Sequence, residues 1–129
     1  MARKPTYNLT GKQAFRAIEW FKAVRELQDW QVSIWLDANP PSWVEGDSRD
    51  LDGQVAIDRN RKQARIWVDV PCHKRDERDP LATLFHECEH IAFADAGIND
   101  RKDGPAHALV YQMGRFFADA YHAGAGPRR

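Results

Sequence analysis

At 129 residues, 43% hydrophobic and 29% charged, the chain has the balance of one globular domain large enough to bury a core without staples. Its 19 Lys and Arg offset 19 Asp and Glu, so nothing global favours a nucleic acid or a membrane surface as partner. Neither Cys72 nor Cys88 belongs to a Cys-x-x-Cys pair, no apolar run follows Met1–Pro5, and no stretch approaches membrane-spanning length; a cytoplasmic protein is expected.

In chain order, Thr10 followed by Gln13 matches a capping box and predicts a helix to about Gln28. Ala14, Ala17, Ile18, Phe21 and Val24 form its apolar stripe, widened by Trp20 and Leu27. The period then changes to two. Trp30, Val32, Ile34 and Leu36 alternate with Gln31, Ser33, Trp35 and Asp37, as in a half-buried strand. Asn39-Pro40-Pro41 ends that strand and opens a polar loop over 38–53, where Trp43 is either an anchor or part of a substrate flap; a plain surface loop is the favoured reading. Gln54–Asp58 and Ala64–Val70 read as a hairpin joined by residues 59–63, and Pro71 closes the second strand. Residues 72–79 read as a charged connector whose basic residues are interrupted by Asp76, Glu77 and Asp79, a solvated surface rather than a nucleic-acid patch.

Asp79 as cap, Pro80 at the first helical position and Gly97 as stop then delimit a helix carrying His86-Glu87-Cys88-Glu89-His90. A helix turns about 100° per residue, so His86 and His90 share one side, one turn apart. Two imidazoles at that spacing can hold one zinc ion, with Glu87 beside them as a general base for water. Leu81, Leu84, Phe85, Cys88, Ile91 and Ala92 cluster on the opposite side, so the helix has a core face and a metal face; Cys88 reads as a buried thiol. After a polar connector, Pro105 starts a last helix to about His122, with Leu109, Val110, Met113, Phe116, Phe117 and Ala120 as its apolar face. The expected fold is α+β: a single domain over 1–129, ordered from about 10 to 122, with a small three-stranded sheet, an N-terminal helix, the motif helix and a closing helix.

A catalytic zinc takes three protein ligands and leaves a position for water. Phe93 and Ala96 stand where the extended metzincin pattern needs Gly and His, and no Glu follows Glu89. The third ligand is then Asp95, Asp100, Asp103, Asp119, His107 or His122, unless it lies upstream. Asp95 projects toward the core side, and Asp100 and Asp103 lie in the connector. His107 is favoured, with Asp103 and Asp100 behind it, because its stripe continues through Tyr111, Gly114 and Ala118. The two small residues would let the last helix lie close to the metal face. Tyr111, one turn beyond His107, is a candidate donor to a tetrahedral oxyanion. His73 and His122 are assigned to the surface.

The order of elements around the His-Glu-x-x-His helix resembles the minimal zincin fold of small bacterial and phage metallopeptidases, the ImmA/IrrE type and the SprT/Spartan catalytic core. The resemblance covers residues 10 to 122, with the pentad as its specific match. It implies zinc-dependent hydrolysis of peptide bonds in a dedicated protein partner. In SprT-like proteins a third His opens the next helix, and His107 fits that pattern; the ImmA type places an acid there. The resemblance also implies an edge strand that holds the substrate backbone, for which Ala64–Val70 is the expected element. The rival expectation is a zinc-stabilised binding or regulatory module with little hydrolysis, against which the intact Glu87 argues.

Overall fold

The computed structural model describes residues 7–46, 51–100 and 104–125, with the side chain of Ala125 left out. Helix α1 (Gly11–Val24) opens on the expected capping box: Gln13 N–H donates to the Thr10 hydroxyl at 3.2 Å, and Thr10 N–H donates to Gln13 Oε1 at 3.0 Å. It ends short of Gln28 because Glu26 takes a left-handed φ of 59°. That turn leaves Val24 exposed and folds Leu27 and Trp30 back into the core.

Three strands follow, β1 (Gln31–Trp35), β2 (Gly53–Asp58) and β3 (Gln63–Val68), in the spatial order β1-β3-β2. β3 runs parallel to β1 and antiparallel to β2. The strand expected at the edge is therefore the central one, and the edges are β1 and β2. The physical reason lies in Ile66-Trp67-Val68, three consecutive buried residues. Side chains alternate sides along a strand, so such a run needs cover on both faces. Trp67 is covered by the segment after β1, whose Asp37 carbonyl accepts from the indole Nε1 at 2.8 Å. Trp43 in the long loop serves as an anchor. Its ring meets Trp35 edge-to-face at 5.5 Å, and the Arg65 guanidinium lies 5.3 Å from the ring centre.

A second correction concerns residues 70–79. Val70–Arg75 is a short helix, α2, instead of a strand end and a connector. Asp69 caps it, accepting from Cys72 N–H at 2.9 Å, and Pro71 stands in its first turn, where no N–H is needed. His73, expected on the surface, is buried. Its Nδ1 lies 2.6 Å from the Asp69 carbonyl, which can only accept, so Nδ1 carries a proton; Nε2 lies 2.7 Å from the Thr83 hydroxyl.

Helix α3 (Pro80–Asp95) carries the pentad. Asp79 caps it by accepting from Leu81 N–H at 2.9 Å, and Gly97 ends it with a φ of 73°. All six residues of its expected core face are buried. Helix α4 (Pro105–Ala120) lies along α3 and buries Val110, Gly114, Phe117 and Ala118. Leu109 and Phe116, expected in the core, are 49% and 61% exposed. The small residues Gly114 and Ala118 belong to the contact with α3, and this rotates α4 so that the outer part of its apolar face meets solvent. Phe21, Phe85, Phe117, Trp20 and Tyr121 knit α1, α3 and the end of α4 into one aromatic cluster. Among the described residues no helix is long and apolar enough to cross a membrane.

Candidate metal centre

The two histidines of α3 project from one face, as the one-turn spacing requires. Their Nε2 atoms are 3.2 Å apart. Tetrahedral bonds of 2.0–2.1 Å to one zinc would separate two ligand nitrogens by about 3.3 Å, so this pair already has the spacing of a shared ion. His107, in the first turn of α4, brings a third imidazole. One ligand atom from each of His86, His90 and His107 lies within 4.8 Å of the others, and the three could hold a metal ion.

Three features suit these side chains to a cation. A nitrogen of His107, Nδ1, is buried with no hydrogen-bond partner among the described residues, a state that a cation bound at that nitrogen would relieve. Asp100 hydrogen-bonds His90 Nδ1 at 2.5 Å; a carboxylate there keeps the proton on Nδ1 and leaves the Nε2 lone pair for a ligand bond. Burial, and then the neighbouring His90 and His107, push the His86 pKa down to about 4, so its ring is neutral and its lone pair free.

Glu87 is the unusual group. It is 6% exposed, it accepts no hydrogen bond from a described residue, and its Oε1 is 3.9 Å from His86 Nε2. Burial, reinforced by the Asp100 charge, pushes its pKa up to about 8. A buried carboxylate without donors is costly to ionise, and a nearby cation is the natural relief. Tyr111 stands over the His86 ring, edge-to-face at 5.8 Å, and is 55% exposed.

The other candidate ligands are engaged elsewhere or remote. Asp95 accepts from Trp30 Nε1 at 2.9 Å, on the core side as expected. His122 bonds Asp79 at 2.8 Å, and Asp119 is exposed near the far end of α4. Asp103 lies outside the described residues.

Two structural residues were missed. Glu89, inside the pentad, is fully buried and paired with Arg25 at the end of α1: Nη2 donates to Oε2 at 3.1 Å, and Nε approaches Oε1 to 2.9 Å off the line of its N–H. Its signal was its place between Phe85 and Ala92 on the buried stripe, where a carboxylate needs a partner. His73 was the other. Asp69 ahead of Pro71 repeats the cap-and-proline pattern of Asp79-Pro80 and could have announced α2.

The site opens onto a groove with two arms that share Asp52, Gly53, His86 and Glu87. One arm runs past His90, Asp100 and His107 along Gln54, Val55 and Ile57 of β2. The other runs between Ala82 and Thr83 of α3 and Tyr111 and Arg115 of α4. Gly53 brings β2 close to α3: a Cβ there would lie 2.7 Å from the Trp67 carbonyl oxygen and 3.0 Å from Thr83 Cγ2. Set against models of protein families, curated proteins and solved structures, the chain gives no match.

Proposed function

We propose that the chain is a zinc-dependent peptidase in which His86, His90 and His107 hold the metal and Glu87 is the general base. One observation carries this reading: three imidazoles converge beside a buried carboxylate that accepts no hydrogen bond from a described residue. A structural zinc is closed by four protein ligands, whereas three histidines leave one position open for chemistry. Bound there, zinc would supply Lewis acidity, lowering the pKa of water to about 7 and polarising a carbonyl.

The chain's own groups then divide the work. Glu87 takes the proton from the attacking water and returns it to the departing amine; its burial keeps it out of bulk solvent. Asp100 holds the His90 ring in one tautomer. The Tyr111 hydroxyl is the candidate donor to the developing oxyanion. β2 pairs with β3 alone among the described residues and borders one groove arm, so its outer edge is the surface on which a substrate backbone would add as an extended strand. This role passes to β2 from the strand over 64–70. The partner is a protein or peptide.

Protein purified without added metal should carry about one zinc per chain. His107→Ala should lose nearly all of it under dialysis against a mild chelator. A chain without zinc, unchanged in melting temperature when zinc is added, would defeat the proposal. Asp100→Ala should keep its zinc but bind it about 10- to 100-fold more weakly, the usual cost of removing a carboxylate behind a histidine ligand. Chelator competition measures this, and an unchanged affinity would mean that Asp100 does not orient His90.

A further inference from the structure

We propose that the arm of the groove between α3 and α4 selects a carboxylate on the substrate, with Arg115 as its specificity-determining residue; the inference rests on the peptidase reading for the placement of substrate across Glu87. The charged groups that line this arm are engaged with neighbours or, like Glu87, belong to the metal site, except one cation. Arg78 holds Asp52 through both terminal nitrogens, with Nη2 donating to Oδ1 at 3.0 Å, and the Asp52 carboxyl is held below its usual range by that bond. Asp79 is spent on the α3 cap and on His122. His73 uses both ring nitrogens, on the Asp69 carbonyl and on Thr83. Arg115 lines the same arm and has no ion pair or hydrogen bond with a described residue.

The position of Arg115 makes that charge useful. It lies one turn beyond Tyr111, whose ring stands over His86, so the guanidinium belongs to the wall that a substrate residue next to the scissile bond would face. Thr83 opposite has its hydroxyl engaged with His73 Nε2 at 2.7 Å. A guanidinium offers a planar fork of donors that matches a carboxylate, so the arm is complementary to Asp, to Glu or to a free chain terminus. A neutral amide of equal size would gain only the weaker, uncharged bonds.

The test uses zinc-loaded Glu87→Gln protein, so that peptides bind without being consumed. Its probes are acetylated, amidated heptapeptides with Asp or Glu at successive positions, their Asn or Gln counterparts, and the same neutral peptides with a free C-terminus. By calorimetry one acidic position should bind about tenfold more tightly than its amide counterpart, the scale of one charge-assisted bond. If only the free-terminus peptides show the gain, the carboxylate is the substrate's end; if the amidated acidic ones do, it is a side chain. Adding Arg115→Gln should bring the ratio to about one. Arg61→Gln, in the turn between β2 and β3, removes the same charge and should leave the ratio alone. The proposal is overturned if acid and amide bind alike, if no peptide binds at millimolar concentration, or if the preference survives Arg115→Gln, which would assign it to the metal. Wild-type protein is then given the preferred peptide. Failure to cleave it would refute the peptidase reading while leaving the carboxylate preference standing.

Discussion

Glu87→Gln should leave the fold and the bound zinc in place and lower peptide cleavage by about 10²- to 10⁴-fold or more, the usual range for a lost general base. The substitution keeps the size and shape of the side chain and removes only the basic carboxylate. Glu87 is not among the three residues that meet within 4.8 Å, so metal content should not depend on it. In the metal-free protein the carboxylate is 6% exposed and has no described donor, so a neutral amide should melt at the same temperature or slightly higher. Three readings on one preparation decide the matter: zinc by elemental analysis, thermal melting, and cleavage of a peptide that wild-type protein cleaves. Lost zinc would make Glu87 a ligand or a structural support. Undiminished cleavage with zinc in place would remove it from the mechanism, and a biological effect that survives intact would mean that the protein acts by binding.

What could be read in advance followed from local rules, and what could not depended on long-range pairing. Caps and phases are set within a few residues, which is why Thr10, Asp79, Pro80 and Gly97 mark real helix ends and why His86 and His90 share a face. The stripe His107, Tyr111, Gly114, Ala118 was likewise legible, since small residues on one face of a helix announce a close neighbour. Sheet order is different. Whether the strand over 64–70 lies at an edge depends on what covers its second face, and that cover comes from Asp37 and the loop beyond it, about thirty residues away in sequence. The run Ile66-Trp67-Val68 carried the hint, since side chains alternate sides along a strand and three apolar residues in a row need cover on both. Leu109 and Phe116 were misplaced for a related reason: hydrophobicity names an apolar face, while the Gly114 contact decides how much of it turns inward. Glu89 and His73 show the limit on the polar side. A charged or polar side chain looks solvated until a partner from another element, Arg25 or Thr83, is known to reach it.

Gly114→Ala should destabilise the protein and weaken zinc binding together, because the added methyl would strike the helix that carries His86 and His90. A Cβ at position 114 would lie 2.8 Å from both His86 Cα and His86 N, and 3.0 Å from His86 Cβ. Two of those atoms are backbone in the middle of α3, so no rotamer change can clear them. Two effects of opposite sign compete. Alanine inside a helix is favoured over glycine by about 0.5–1 kcal/mol, which alone would stabilise α4. Overpacking of a tight contact costs about 1–3 kcal/mol, and here the only relief is to move α4 away from α3. The clash should win, by about 1–2 kcal/mol, through separation of the two helices. That separation pulls His107 from His86 and His90, the geometry on which a third ligand bond depends. A merely structural clash would lower the melting temperature of metal-free and zinc-loaded protein equally. Damage to the site should lower the zinc-loaded melting point more, reducing the shift that zinc produces. Melting curves with and without zinc, beside a zinc titration, measure both. A variant with unchanged melting temperature and zinc affinity would show that α3 and α4 do not meet at Gly114 as closely as described, and the assignment of His107 would fall with that contact.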